Sequence, residues 1–417
     1  MNAEIISIGD ELLIGQIINT NQAYIAQQLN SVGISISRMT TVGDRAEEIL
    51  QTFANALAKN EIVIVTGGLG PTHDDITRSV VCDFFHTGLI VNEPALERIT
   101  RIFKNRGIPM IKRNEDQALV PRNCTVIQNP IGTAPGYLFE REGKFFFVMP
   151  GVPFEMKAMM EQTVVPFLRK KQTNFIIRHR TLKTTGIGES ILAETIGDIE
   201  ALLSPYSGLT LAFLPSPFGV RVRISAEGDT QESVDRSIQH VESQIRAKAG
   251  KYIFGTDEED LEQVIGTLLI EKGFSLAIAE SCTGGLIADR LTNVPGSSNY
   301  FERGFITYSN TSKETELNIP HELLKRHGAV SREVAEAMAE NVRIIAKTDI
   351  GLSTTGIAGP GGGSPEKPIG LVWIGYSDKN GTLSLRFNFG EDRRRVKERA
   401  SQAALELLRR KILNNEV

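Results

Sequence analysis

A three-domain α/β protein is predicted for this chain by three observations. Three strand-to-helix units follow one another at the N-terminus, each turning at a glycine/aspartate junction. A second set of buried strands and glycine-rich turns fills residues 253–417, and a shorter α+β stretch with polar borders, residues 169–252, lies between. Repeated strand–helix alternation implies a parallel sheet. The length of 417 residues, at roughly 150 per domain, points to the same number of domains.

The elements follow in order. Glu4–Ile8 reads as a strand, followed by Gly9-Asp10-Glu11 and a helix with Ile25, Leu29 and Val32 on one face. Ile34–Val42 leads through Gly43-Asp44 to a helix presenting Ala46, Ile49, Leu50, Phe53 and Leu57. Glu61–Thr66 then leads into Gly67-Gly68-Leu69-Gly70-Pro71-Thr72-His73-Asp74-Asp75 and a helix through Phe84. A hairpin of Tyr137–Glu140 and Lys144–Met149 turns at Gly143, and residues 150–155 close the domain near Leu168. Ligands of parallel sheets bind beyond the strands' carboxyl ends, so the three glycine/aspartate junctions should gather at one site.

Arg169-Lys170-Lys171-Gln172-Thr173 reads as a short polar linker. The middle unit carries an alternating strand, Val220–Ala226, and a helix over 232–249 with Val234, Ile238, Val241 and Ile245 on one face. It gathers no polar cluster and reads as a spacer or assembly domain. The acidic stretch Gly255–Asp260 opens the third domain, whose strands are expected at 274–279, 304–308, 349–355, 371–376 and 382–389. Its last helix starts near Asp392-Arg393-Arg394-Arg395 and buries Val396, Ala400, Ala403, Leu407 and Leu408.

Composition excludes several classes of function. A 41% hydrophobic and 23% charged chain is ordinary for a globular protein, and a net charge of −4 offers no global field for nucleic acid or anionic membrane. No apolar run approaches 18 residues, and the first residues lack the basic-then-apolar order of a secretion signal. Cys82, Cys124 and Cys282 lie far apart without metal-ligand spacing, which fits a reducing cytoplasm.

The densest chemistry lies at Ala279-Glu280-Ser281-Cys282-Thr283-Gly284-Gly285, between a buried strand and an apolar helix face of Leu286, Ile287 and Leu291. Ser281 is either a helix N-cap or a nucleophile at a turn, where backbone N–H groups would stabilise an oxyanion. Cys282 is the alternative nucleophile. The histidines within this domain, His321 and His327, sit in a connection and at a helix end, so Lys313 is the better base. A lysine desolvated beside a serine has its pKa lowered towards neutrality, with Tyr308 relaying or orienting. Residues 356–370 hold six glycines and three prolines yet are followed at once by strands, which makes them a binding loop inside the domain. The arginines opening the last helix oppose its dipole, so they are either solvated or retained for an anionic ligand.

Five separated stretches carry a resemblance: residues 280–285, Asn293-Val294-Pro295-Gly296-Ser297-Ser298, Tyr308-Ser309-Asn310, His327-Gly328-Ala329-Val330-Ser331, and Thr355-Gly356-Ile357-Ala358-Gly359-Pro360-Gly361-Gly362. Together they closely resemble the C-terminal domain of the bacterial CinA family, known as nicotinamide mononucleotide deamidase. Thr66–Asp75 and Gly9-Asp10-Glu11-Leu12-Leu13 are similar to the family's molybdopterin-binding-like N-terminal domain, so the resemblance spans essentially the whole chain. It implies metal-free hydrolysis of nicotinamide mononucleotide to nicotinate mononucleotide and ammonia, with Ser281 as nucleophile and Lys313 and Tyr308 handling protons. Thr283, Gly284, Asn310, Thr355, Gly361 and Gly362 would hold oxyanion or substrate, and Arg395 the phosphate. For the N-terminal domain it implies an ADP-ribose pyrophosphatase dependent on a divalent metal such as Mg, Mn or Co. Asp10, Asp44 and Asp74 are its candidate metal ligands, or else helix caps, with Gly68 and Thr72 binding substrate. The family's middle domain is KH-like, but no GxxG loop occurs here between Thr173 and Gly250, so RNA binding is not inferred. A homodimer is the implied assembly. Two other readings stay open: an N-terminal domain that only binds nucleotide or pterin, and a non-enzymatic adaptor linked to DNA uptake, for which no basic–aromatic patch is found.

Overall fold

Asn2–Ile8 (β1) runs parallel to Ser35–Val42 (β2) and to Ile62–Thr66 (β3), pairing Ala3 with Ile62 through Ser7 with Thr66. The structure, a computed structural model, describes residues 1–72, 75–171 and 175–414. Every residue of β3 and all of β1 except Asn2 are buried, as strands covered on both faces require. Leu89–Val91 (β4) and Leu119–Pro121 (β5) pair with each other, while Thr125–Ile127 (β6), Gly136–Arg141 (β7) and Lys144–Met149 (β8) complete a main sheet in the order β2-β1-β3-β8-β7-β6.

Side chains alternate across this sheet. Ala3, Ile5, Ile62 and Ile64 pack with Ile25, Leu29, Met156 and Met159 on one face. Ile6, Ile8, Val63 and Val65 pack with Ile49, Phe53, Val80 and Val81 on the other. Helices therefore cover both faces, which is the doubly wound arrangement the sequence predicts. The expected linker differs: Arg169 to Lys171 finish the helix Val165–Lys171, and residues 172–173 lie outside the described residues.

The carboxyl ends of β1 and β3 come together at Gly67, whose φ is +117. A Cβ there would sit 2.1 Å from the Ile8 carbonyl oxygen, so no side chain fits. Gly67→Ala is expected to destabilise the N-terminal unit by about 3 kcal/mol or more, combining backbone strain with a clash against main chain. Chemical denaturation should show this as a lowered midpoint.

The chain divides into two compact units, residues 1–178 with 226–236, and residues 179–225 with 237–417. The second contains most of a four-stranded sheet formed by Ile176–Thr184 (β9), Leu209–Ser216 (β10), Gly219–Gly228 (β11) and Ile253–Thr256 (β12), in the order β10-β11-β9-β12. Val220, Val222, Ile224 and Ala226 of β11 are buried at the spacing the sequence predicts.

The C-terminal sheet comprises Leu276–Glu280 (β13), Phe301–Ile306 (β14), Ile350–Gly356 (β15), Leu371–Asp378 (β16) and Gly381–Asn388 (β17), ordered β14-β13-β15-β16-β17. β13 is parallel to both β14 and β15, whereas β16 runs antiparallel to β15 and β17. Leu276 and Ile278 face the helices Leu261–Lys272 and Arg393–Ile412. Ala277 and Ala279 face Val334, Met338 and Val342 of the helix Arg332–Ala346. Because Glu280 pairs with both Ile306 and Thr354, the parallel strands end at one level, and Ser281, Thr307 and Thr355 emerge together.

Candidate active site

Ser281 follows the last residue of β13, and its amide donates to the Thr354 carbonyl at 2.9 Å. It is not a helix cap: the next helix, Leu286–Thr292, starts five residues later behind Gly285. Between them the chain reverses through Gly284 and Gly285 at φ +61 and +92, a left-handed path natural to glycine. The helix-start donors expected for an oxyanion are already taken. The Glu280 carboxylate, 1% exposed, accepts from the amides of Gly285, Ile287 and Ala288 at 3.0, 3.2 and 2.9 Å. A carboxylate is favoured there by the helix dipole. Among the described residues, the amide of Cys282 has no acceptor in another residue and is the donor left to an oxyanion at this turn, while the amide of Thr283 donates to the Cys282 sulfur.

Lys313 reaches the serine from a second segment. It lies on the helix Asn310–Leu317, capped by Ser309, whose hydroxyl accepts from the Ser312 amide at 3.0 Å. Helical side chains lean back towards the N-terminus, which carries Nζ towards the end of β14. There Nζ lies 3.0 Å from Ser281 Oγ and donates to the Thr307 carbonyl at 2.7 Å. Lys313 is 1% exposed, and burial lowers its pKa from the usual lysine range to about 8. Burial acts oppositely on Cys282, pushing its thiol up to about 12. At neutral pH the neighbouring thiol is a poor nucleophile, while the serine has an amine beside it that can shed its charge.

The other sequence-named residues fall in three places. Thr283 is fully buried and shares a hydrogen bond of 2.7 Å with Thr354, and Thr355 donates to the Ala329 carbonyl at 2.7 Å, so both hydroxyls brace the strand ends. Tyr308 is 59% exposed, and its hydroxyl accepts from Arg393 at 2.6 Å, whereas Lys313 is held by Ser281 and Thr307. Asn310, Gly361, Gly362 and Arg395 are exposed. The arginine run divides by helical phase: Arg393 also donates to the Gly359 carbonyl at 2.7 Å, while Arg395 contributes its amide to the cap Asp392. Arg393, Glu280 and Thr307 escaped the sequence reading, although Arg393 stood in the arginine run.

In the N-terminal unit Asp10 and Asp44 meet, each carboxylate accepting the other's backbone amide, at 3.3 and 3.0 Å. Asp74 lies outside the described residues. A cavity of about 370 Å³ is lined by Gly67, Gly68, Gly70, Glu11, Asp75 and Glu155 among others, and by neither Asp10 nor Asp44. Thr72 donates to Asp75 at its rim. Burial raises the pKa of Glu155, opposed by a hydrogen bond from Asn129. Ser7 Oγ, Asn19 Nδ2 and Asn21 Oδ1, from residues lining this cavity, are buried with no partner among the described residues. Such polar atoms call for a partner, whether water, an ion or a ligand. Among the described residues no three His, Cys, Asp or Glu side chains form a metal cage. The carboxylates present suit a magnesium-like ion held by one or two of them together with substrate phosphates.

A doubly wound domain followed by a small sheet and a mixed α/β domain with a buried serine–lysine pair defines a multidomain α/β protein. Comparison with known proteins is specific about which. Residues 4–170 match the family described as "Probable molybdopterin binding domain", residues 179–255 the "Damage-inducible protein CinA KH domain", and residues 258–412 the "CinA C-terminal domain". The chain is 47% identical over 414 residues to a protein of Caldicellulosiruptor saccharolyticus named as competence-damage inducible, spanning 99% of this chain and 100% of that one. It is 49% identical over 417 residues to a CinA-like protein of Chloroherpeton thalassium, spanning 98% and 99%. Among solved structures, the competence/damage inducible protein CihA of Agrobacterium tumefaciens is 41% identical, covers 36% of this chain and 91% of that one, and has a TM-score of 0.35. The chain belongs to the CinA family. No helix among the described residues is long and apolar enough to cross a membrane.

Proposed function

We propose that the C-terminal domain hydrolyses the amide of nicotinamide mononucleotide to nicotinate mononucleotide and ammonia. The observation that carries this reading is the 3.0 Å approach of Lys313 Nζ to Ser281 Oγ, with the amine buried and its pKa lowered to about 8. In its neutral form Lys313 takes the hydroxyl proton as Oγ attacks the amide carbon, and the Thr307 carbonyl keeps Nζ aligned. The negative charge moves to the amide oxygen, which the Cys282 amide is placed to receive. Lys313 returns the proton to the amide nitrogen, ammonia departs, and water hydrolyses the resulting ester by the same proton path.

For the N-terminal domain the reading is hydrolysis of the ADP-ribose diphosphate with a divalent cation. The orphaned polar atoms and carboxylates of its cavity support a polar, phosphate-bearing ligand. Asp10, Asp44 and Asp75 are the carboxylates that would hold the cation, which would supply neutralisation of charge on the diphosphate. The protein's own part is to orient the phosphates against the Gly67-Gly68 turn. A homodimer and a cytoplasmic setting complete the proposal.

One substrate panel tests both halves. The full chain, incubated with nicotinamide mononucleotide or ADP-ribose with and without divalent metal, should release ammonia from the first in either condition. It should release AMP from the second only with metal. Absence of ammonia would remove the amidase assignment, and metal-independent release of AMP the diphosphatase one.

A further inference from the structure

The last helix, Arg393–Ile412, opens with Arg393, Arg394, Arg395 and Lys397; Arg394 pairs with Glu398, and helical geometry sorts the other three. Residues four apart lie on one helical face, whereas residues two apart are turned by about 200°. Arg393 and Lys397 therefore share a face that Arg395 does not. Arg393 is committed to the Gly359 carbonyl and the Tyr308 hydroxyl. Lys397 points its ammonium over the turn that begins at Ser281: a methyl group placed on Gly284 would lie 3.4 Å from Nζ and 3.9 Å from Cε. Gly284 is itself tied to Ser281, its amide donating to the Ser281 carbonyl at 3.1 Å.

Among the described residues Lys397 makes no ion pair and no side-chain hydrogen bond, although it is half-buried. An ammonium held at a fixed place without a protein partner is open to an anion brought by a ligand. Its position over the Gly284 end of the turn is explained if an anion completes it. We propose that Lys397 reads the phosphate of the substrate, and that this contact, rather than one to Arg395, lets the site prefer a nucleotide over the corresponding nucleoside. The inference rests on the amidase reading. Gly284 itself is required by the backbone, whose φ of +61 would strain any other side chain. The amide under attack is neutral, so the phosphate contributes through remote binding energy at the far end of the substrate.

The test compares nicotinamide mononucleotide with nicotinamide riboside, which lacks the phosphate, on the full chain. Lys397→Ala should raise KM for the nucleotide by 10-fold or more, roughly the value of one charge-assisted contact. KM for the riboside should move by less than about 2-fold, and Lys397→Arg should recover most of the nucleotide affinity. Arg395→Ala should shift the nucleotide KM far less than Lys397→Ala does. An unchanged nucleotide KM in Lys397→Ala, or an equal rise for both substrates, overturns the inference. Calorimetric binding of nicotinamide mononucleotide to Ser281→Ala, with and without Lys397→Ala, provides a readout free of turnover. Tenfold weaker binding in the double variant supports the phosphate contact even if the wild type releases no ammonia, which would refute the amidase reading alone. Equal binding refutes the contact alone.

Discussion

Ser281→Ala is expected to lower ammonia release from nicotinamide mononucleotide by about 10⁴-fold or more, the usual scale for deleting a nucleophile. The metal-dependent ADP-ribose hydrolysis proposed for the N-terminal domain should stay within twofold of the wild type, because the cavity proposed for it is built from residues of the other compact unit. Cys282 will not substitute: its thiol is pushed up to about 12 by burial, which leaves almost no thiolate at neutral pH. Folding should change little, since the hydroxyl's hydrogen bond is to Lys313 and the Thr307 carbonyl still accepts from Nζ. Undiminished ammonia release in a correctly folded variant would exclude the serine mechanism.

Lys313 should impose two pH signatures of opposite kind. Activity requires the neutral amine, so kcat/KM should climb tenfold per pH unit below about 8 and level off above it. Stability follows from linkage. Its folded pKa lies below the ordinary lysine value of 10.5, so between about 8 and 10.5 the unfolded chain binds more protons and stability rises with pH. Below 8 both states are protonated and the full penalty of the buried charge, at most about 3 kcal/mol, is present. Lys313→Met should therefore abolish amide hydrolysis yet melt higher than the wild type at pH 7, and that advantage should shrink as pH approaches 10. A variant that melts lower at pH 7 and shows no convergence would mean that the lysine is stabilised as a cation. Activity independent of pH between 6 and 9 would separate Lys313 from the proton transfer.

Much of the architecture was legible because it is periodic. The runs 62–66 and 276–280 are apolar enough for parallel strands, and the helices at 46–59 and 393–412 show one apolar face each. The stretch 85–135 was not legible. Its three-residue strands β4, β5 and β6 are too short for a period to show, although the helix Glu93–Arg106 carries an Asn92 cap and a left-handed Gly107 that could have announced it. At the site, Ser281 and Lys313 were readable as residue types, but their meeting depends on two parallel strands ending level, which no local pattern encodes. The Glu280 carboxylate, whose identity as a helix collar depends on a turn of two left-handed glycines, lay beyond local reading for the same reason. Helical phase was available in the sequence, and it distinguishes Arg393 and Lys397 from Arg395.

The Glu280 collar has a dynamic consequence. By gripping the amides at 285, 287 and 288, it closes residues 280–288 into a ring that holds its own shape. The base belongs to another stretch, held by the Thr307 amide on the Glu280 carbonyl at 2.8 Å, by Asn341 donating to the Leu317 carbonyl at 2.7 Å, and by the cap of one eight-residue helix. A transient opening of residues 307–317 would silence the site while leaving the three amide bonds of the Glu280 carboxylate in place, and reclosure would restore it without rebuilding that ring. Amide hydrogen exchange should accordingly report two separate opening events, slower at the serine's ring than at the segment that brings the lysine.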